Sequence, residues 1–203
     1  GNGDLPVLFT AENNNVGGWK GISFGDATDY AGLLSTLKYA IVDKAGQAQT
    51  LGGSIGAVSA GIMMFNTTVT LNDIDVVQSA GAGIYSSNSA PTVKNSIVAF
   101  NTGAGLVAVS GGTPSFTYGD VFGNGANNAG WTAGVGSKTV NPQFTDYLAG
   151  DFRLALGSPM IDAGTNVGLS FTGAAPDMGA IEFGAGLVCG PGVPNGTPCN
   201  DGS

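Results

Sequence analysis

The chain has 203 residues, of which 36 are glycine and only 10% are charged, whereas ordinary domains have about 7% glycine and about 25% charged residues. Since 42% of the residues are hydrophobic, disorder caused by a shortage of core-forming side chains is excluded. The glycines follow no three-residue period, which excludes collagen. No apolar run approaches the ~18 residues that a membrane-spanning helix needs. A turn-rich β protein is the class that remains.

The charge balance restricts the partners. Six basic and 14 acidic residues give a net charge of −8, and a protein that binds nucleic acid needs clustered lysine and arginine instead. The chain contains no histidine, the commonest general base and metal ligand. We therefore expect neither a nucleic-acid partner, nor a zinc site, nor a Ser-His-Asp triad.

Short strand-like segments recur along the chain at a nearly constant interval. The first is the apolar run of Leu5, Pro6, Val7, Leu8 and Phe9, followed by segments at 21–24 and 37–42. A glycine followed by an aliphatic residue then recurs at Gly61, Gly83 and Gly105, in two equal steps. Alternating runs at 69–76, 92–99 and 115–122 lie between and after these glycines. The longer step from Gly21 to Gly61 predicts an insertion within residues 44–56.

A period of about 22–24 residues, with short strands separated by glycine, asparagine and serine, is typical of a β-solenoid whose coils stack about 4.8 Å apart. Alternation within each strand predicts the side chains that point inward. They are Ile22, Phe24, Tyr39, Ile41, Ile62, Leu71, Ile74, Val76, Ile84, Val93, Ile97, Leu106, Phe116 and Val121. Matching Ile74, Ile97 and Val121 sets the expected register. Helix is expected only at residues 30–36.

Polar residues near the strands have structural and functional interpretations. Asn72 and Asn95 precede inward isoleucines, so we expect them to stack in a hydrogen-bonded ladder at a coil corner. Asn101 and Asn124 receive the same interpretation. Asp73 and Asp75 lie two apart on one strand and are expected to face outward. They are either a solvated surface pair or a weak metal site, for which calcium is the candidate ion.

Four stretches resemble the right-handed parallel β-helix repeat proteins of bacterial exteriors, which share the pectate-lyase-like fold. They are residues 5–24, residues 35–42 (STLKYAIV), residues 90–98 (APTVKNSIV), and an ending from Asn141 to Ala180 that contains SPMIDAG at 158–164 and DMGA at 177–180. The resemblance implies an all-β, right-handed parallel β-helix of about five coils. It divides the chain into coils at 1–135, an irregular C-terminal cap at 136–185 and a tail at 186–203. Because the beginning resembles the middle of a longer helix, we expect a piece of a larger protein.

The tail and two sequons carry expectations about the compartment. Cys189 and Cys199 close a short loop, for which a disulfide in an oxidising compartment and two free thiols are the alternatives. Asn66 and Asn195 begin glycosylation sequons. These features favour an extracellular or cell-surface location.

The expected function is that of a non-catalytic structural or adhesive module. Members of the resembled family include lyases as well as structural proteins, so activity depends on a site, and with one arginine and no recurrent acid cluster the sequence favours no catalytic site. The residues Leu5 to Phe9 are candidates for end-to-end assembly with other copies or for insertion into a neighbour. The alternative is a polysaccharide-binding or polysaccharide-degrading protein, with Trp19, Tyr85 and Trp131 as the aromatic candidates for sugar stacking. No cofactor is expected beyond the calcium alternative, and cell-surface components are the other candidate partners.

Overall fold

The protein is a parallel β-helix in the computed structural model, which describes residues 5–25, 35–51 and 56–184. Sixteen strands lie in these ranges: β1 (Val7–Phe9), β2 (Ile22–Gly25), β3 (Ser35–Asp43), β4 (Gln49–Leu51), β5 (Gly56–Val58), β6 (Ala60–Phe65), β7 (Val69–Val77), β8 (Ala82–Ser87), β9 (Thr92–Lys94), β10 (Ile97–Ala99), β11 (Ala104–Val109), β12 (Ser115–Thr117), β13 (Asp120–Phe122), β14 (Ala126–Ala129), β15 (Phe144–Asp146) and β16 (Asp151–Leu154). The predicted all-β class is confirmed.

The coils have three strand faces. Face A contains the first parts of β3 and β7, then β9 and β12; face B contains β1, the second parts of β3 and β7, then β10 and β13. Face C contains β2, β6, β8, β11 and β14. All neighbours within these faces pair in parallel. Among the described residues, face C thus has one strand from each of five coils, as the sequence predicted.

Residues with positive φ turn the chain at the coil corners. The corner between faces A and B is formed by Tyr39, Asp73, Asn95 and Tyr118, whose φ angles lie between 49° and 51°. They stack one above another, because the strands before and after the corner pair in the same register in each successive coil. Asparagine and aspartate tolerate this left-handed conformation better than other non-glycine residues. This preference accounts for Asp73 and Asn95 at the corner.

The interior contains most of the predicted residues, with a correction on face B. Ile62, Leu71, Ile74, Ile84 and Leu106 are fully buried in the central cluster. On face B, however, Ile97 pairs with Asp75 and Asp120, and it is Val98 that aligns with Val76 and Val121. The predicted register from Ile74 to Ile97 was therefore wrong by a single position. Such a slip exchanges the two sides of a strand.

Three predicted inward residues consequently lie elsewhere. Ile41 and Ile97 face outward and pack in a second cluster with Phe152, Met160 and Met178. Tyr39 lies at the corner, where its hydroxyl donates to the Ser170 carbonyl at 3.0 Å. The interior positions go instead to Ala40, Val42 and Val98.

The insertion lies where the spacing predicted it. Strands β4 and β5 pair antiparallel between the second coil's faces B and C, and they contribute to the longer step by which Ile22 pairs with Ile62 on face C. Of the expected helix at 30–36, residues 30–34 lie outside the described residues. Ser35 and Thr36 belong to β3, so the helix prediction was wrong there.

The two tryptophans close the ends of the interior. Trp19 is half-buried, packs on the central cluster and lies 6.5 Å from the Phe9 ring centroid. Its indole N–H donates to the Asp43 carbonyl at 2.8 Å. At the opposite end Trp131 follows Gly130, whose φ is 75°, and packs into the same cluster with 3% exposure.

Residues 143–183, which we call the side segment, lie along the outer surface of face B. The segment contains the antiparallel pair β15 and β16 and a 3-10 turn at Tyr147–Ala149. Its apolar side chains Phe152, Leu154, Met160 and Met178 pack on the outward residues of face B. The predicted cap thus covers one side of the coils, while the division of the chain at 135 and 185 stays a proposal.

Candidate functional site

The most unusual chemical feature is a layer of carboxyl groups between face B and the side segment. Asp75 and Asp120 point outward from face B in the same column as Ile41 and Ile97. Asp73 lies at the corner beside them, and the side segment contributes Asp177 and Glu182. All five acids are buried, with Asp75 at 1% exposure. We call these five residues the carboxyl layer.

Backbone amides satisfy only part of the layer. Asp177 accepts hydrogen bonds from the amides of Asp162 and Phe183, at 2.7 and 2.5 Å. Glu182 accepts from the amides of Asp177 and Thr172, at 3.2 and 3.4 Å. These bonds fix the turns of the side segment, as expected for carboxylates that cap turns.

The acids contributed by the coils have fewer donors. Asn95 donates its side-chain amide to Asp73 Oδ1 at 3.0 Å, and Asp120 Oδ1 accepts from the Val140 amide at 3.0 Å. No donor among the described residues reaches Asp73 Oδ2, Asp120 Oδ2 or either oxygen of Asp75 at hydrogen-bonding geometry. A buried carboxylate in this condition is costly, so the protonated form is favoured.

The pKa values shift accordingly. Burial raises the pKa of Asp75 to about 8, opposed by the nearby Ala180 amide and assisted by repulsion from Asp73. Burial also raises the pKa of Asp73 to about 7 and that of Asp120 to about 6. Glu182 has a pKa of about 7, because burial and the neighbouring Asp177 disfavour its charge. At neutral pH much of the layer is therefore uncharged.

The side segment approaches the coils closely at one glycine. The φ of Gly179 is 114°, and a Cβ there would lie 2.9 Å from both Asp75 Oδ1 and Ile97 Cδ1. The Gly179 amide donates to the Asn95 carbonyl at 2.8 Å. Asn95 Oδ1 also accepts from the Thr165 amide, and its side-chain nitrogen donates to the Thr165 carbonyl, both at 2.8 Å. Asn95 thus joins the corner to the side segment.

This arrangement corrects two expectations about acids and asparagines. Asp73 and Asp75 were expected to be a solvated outward pair or a weak metal site; Asp75 does face outward, but both are buried beneath the side segment and not solvated. Within residues 5–25, 35–51 and 56–184, no group of three acid or cysteine side chains is placed to hold a metal ion. The expected Asn72–Asn95 ladder was also wrong, since Asn95 stacks on Asp73 and Asn72 pairs with Lys94.

A true asparagine ladder exists at the next corner. Asn101 donates its side-chain amide to Asn124 Oδ1 at 2.8 Å, as the sequence predicted. Asn88 donates to Asn66 Oδ1 at 2.8 Å, in a column that the sequence analysis missed. The interval from Asn66 to Asn88 equals that from Gly61 to Gly83, and this equality is the signal that could have identified the column.

The aromatic candidates do not form a sugar-binding platform. Trp131 is buried and Trp19 is half-buried, one at each end of the interior, so neither offers an open ring face. Tyr85 is half-buried on the outer side of face C, with its ring centroid 5.7 Å from that of Phe65. Trp131 is buried although it was a candidate for sugar stacking, because Gly130 turns the chain inward over the last coil.

Other predicted site residues are scattered. Asn66 is exposed at a corner, which leaves glycosylation there a proposal. Cys189, Cys199 and Asn195 lie outside the described residues. Val7, Leu8 and Phe9 form β1, which pairs with β3 of the same chain. Leu5, Val7 and Leu8 are 76%, 43% and 49% exposed at this end of the helix.

The outer side of face A is an open polar surface. One column contains Thr36, Thr70, Thr92 and Ser115, and the next contains Lys38, Asn72, Lys94 and Thr117. Thr36 and Lys38 are exposed and the others are half-buried. Lys94 therefore faces outward in a column of polar residues, a column that the sequence alone did not predict.

Comparisons with known proteins add little beyond the fold. No family model and no curated protein matches the chain. Among solved structures, the chain is similar to the crystal structure of pectate lyase Pel9A, with 13% sequence identity and a TM-score of 0.44. The match covers 73% of this chain and 59% of that chain, less than two thirds of its length. In the part of the chain that the structure describes, no helix is long and apolar enough to span a membrane.

Proposed function

We propose that the protein is a non-catalytic structural module of an extracellular or cell-surface assembly. The supporting observation is the location of the acids: the five members of the carboxyl layer are buried against the side segment. A polysaccharide hydrolase needs two carboxyl groups on opposite sides of the scissile bond, accessible to a polymer. The layer lacks that access.

Catalysis is tested on a panel of polysaccharides. We expect no release of unsaturated or reducing ends above that of a blank. Release by the wild-type protein that is lost in Asp75→Asn and retained in the exposed-acid control Glu12→Gln would contradict the proposal. The second variant removes one carboxylate from the surface without touching the layer.

Association through the coil ends is the finer part of this proposal. Val7 and Leu8 at one end are matched by Val135 and Val140 at the other, which are 68% and 43% exposed. Among the described strands, β1 pairs only with β3 and β14 only with β11. Exposed strand edges are templates for pairing with another chain. Stacking of copies, or of a further coil of a longer chain, would cover both apolar residues and strand edges.

Light scattering and electron microscopy test this association. We expect concentration-dependent assembly that is abolished by Leu8→Lys and unaffected by Val109→Lys, a control on the side of the helix where Val109 is 37% exposed. Monodisperse monomers of wild-type protein at high concentration would contradict association between copies.

A second candidate function is binding of a glycan along face A. Its specific support is the open double column of hydroxyl, amide and ammonium groups on β3, β7, β9 and β12. Such groups can donate and accept the hydrogen bonds that sugar hydroxyls require. A glycan array compares wild type with Thr70→Val combined with Thr92→Val, and with Tyr85→Ala on face C. Loss of binding in the face A variant alone supports this surface, and loss in Tyr85→Ala alone contradicts it.

A further inference from the structure

The contact between face B and the side segment combines strong apolar packing with uncompensated acids. Ile41, Val77, Ile97 and Ala99 of the coils pack on Phe152, Leu154, Met160 and Met178 of the segment. In the same contact the Ala180 amide lies close enough to Asp75 to lower its pKa, but no donor among the described residues meets hydrogen-bonding geometry at either Asp75 oxygen or at one oxygen each of Asp73 and Asp120. Apolar burial favours docking at every pH, whereas the acids oppose it whenever they are ionised.

The charged groups around the layer do not neutralise it. Asp75 faces Asp73 on its own strand, Ile41 and Ile97 on the neighbouring strands, and the side segment beyond them. Glu182 repels Asp73, and Asp177 repels both Glu182 and Asp162. The basic group that acts on the layer is Lys138, which lowers the pKa of Asp120 alone. Its ammonium group donates to the Pro159 carbonyl at 2.5 Å. Ionisation therefore adds like charges on both sides of the contact.

Hydrogen bonds from the coils to the segment are concentrated at the corner. Asn95 makes three with Thr165 and Gly179, and the Tyr39 hydroxyl donates to the Ser170 carbonyl. Residues 143–183 form no strand pair with the coil strands that the structure describes. The segment can thus separate from face B without breaking a sheet, since the parallel ladders of the coils lie entirely outside it.

We propose that the side segment is a pH-operated flap, docked on face B while Asp73, Asp75 and Glu182 are protonated and released when they ionise. Release exposes the outward apolar column of face B together with the newly charged acids. The proposal goes beyond the proposed structural role, because it concerns a movement within the chain and not what the module binds.

Hydrogen exchange with mass spectrometry tests the flap on the full chain, at pH 5 and pH 9 with a chelator present. After correction for intrinsic exchange rates, we expect protection of residues 143–183 to fall about tenfold or more at pH 9, since each unit of raised pKa corresponds to about a factor of ten. Protection of the inner strands β6, β8 and β11 should change much less. Equal protection of the segment at both pH values would overturn the proposal.

Variants that mimic the protonated acids distinguish release of the side segment from a general loss of stability at alkaline pH. Asp75→Asn and, independently, Glu182→Gln should keep residues 143–183 protected at pH 9 more strongly than wild type. Glu12→Gln removes a charge from the exposed loop before β2 and should leave the wild-type pH dependence unchanged. If Asp75→Asn fails to fold, the protection of residues 143–183 in Glu182→Gln alone tests the flap. A wild-type pH profile in that variant would overturn the proposal.

Discussion

At the residue scale, the asparagines at the coil corners replace hydrogen bonds that the strands cannot make where the chain turns. Asn101 is 2% exposed and donates its side-chain amide to the Val76 and Ala99 carbonyls, at 3.1 and 3.2 Å. Its Oδ1 accepts from the Ser79 amide at 2.9 Å. One side chain therefore satisfies backbone groups of two successive coils.

Removing the Asn101 side chain should destabilise the folded protein. We expect Asn101→Ala to lower the free energy of unfolding by about 1–3 kcal/mol, because it leaves buried backbone groups without hydrogen-bond partners. Urea unfolding followed by circular dichroism measures the change. The exposed Asn128→Ala is the matched control, and equal effects of both substitutions would contradict the ladder's role.

Ile97 is the second residue whose role can be measured. Although it points away from the interior, it is fully buried between face B and the side segment. Ile97→Ala should therefore cost about 2–5 kcal/mol, as for other large-to-small changes in a core. Leu156→Ala, at a side chain that is 78% exposed, should change little. A cost below that of the control would show that the segment does not pack as described.

At the scale of the strands, the interior changes in composition from coil to coil while its volume stays filled. The inward column of face A enlarges from Val93 to Phe116, and the column beside it shrinks from Ile74 through Ser96 to Gly119. A Cβ at Gly119 would lie 2.6 Å from both the Phe116 ring and the Ser96 carbonyl oxygen. The two columns are thus complementary, as close packing requires.

This complementarity predicts coupled mutations. Gly119→Ala should destabilise the protein by about 1–3 kcal/mol through overpacking, and Phe116→Leu alone should destabilise it by leaving a cavity. Combined, the two changes should cost less than the sum of their separate effects, because the smaller side chain relieves the clash. A double-mutant cycle in urea measures the difference. Additive effects would contradict direct contact between the two sites.

The same strands show which parts of the fold the sequence period predicts and which it does not. The equal steps on face C were read correctly, since Gly61, Gly83 and Gly105 mark identical places in successive coils. The steps from β9 to β12 and from β10 to β13 are one residue longer than these steps on face C, and the apolar residues of face B occur on both sides of the strand. Alternation of apolar and polar residues cannot choose between two buried sides, so Ile41 and Ile97 were assigned to the wrong side, while the outward direction of Asp75 was predicted correctly but not its burial.

At the scale of the whole molecule, the carboxyl layer determines how stability depends on pH. In the unfolded chain carboxyl groups titrate near pH 4, whereas in the folded protein Asp120, Glu182, Asp73 and Asp75 have pKa values of about 6, 7, 7 and 8. Between the pKa values of the unfolded chain and those of the folded protein, the folded state binds more protons than the unfolded state. The free energy of unfolding therefore falls as the pH rises through this range. Asp151, whose pKa is lowered by Arg153, acts in the opposite sense only in more acidic solution.

We therefore expect the melting temperature to be highest near pH 4–5 and to decrease steadily toward pH 8, above which it levels off with respect to these groups. Differential scanning calorimetry across this range measures the profile. Asp75→Asn should flatten it and Glu12→Gln should not. A melting temperature that rises between pH 5 and pH 8 would show that the layer is hydrated or compensated by cations.

By itself the sequence determined the β-helix, the number of coils, the insertion after β3 and most of the interior, because these follow from spacing and from the turn preferences of glycine and asparagine. Only the tertiary structure decided the chemical environment of the acids and tryptophans. Asp75 has the same sequence neighbours whether solvated or buried. Its burial, like that of Ile97, depends on a segment from much later in the chain that packs on face B. Trp131, in turn, is buried by the inward turn at Gly130. Long-range packing leaves no local periodic signal, so function had to be argued from the fold.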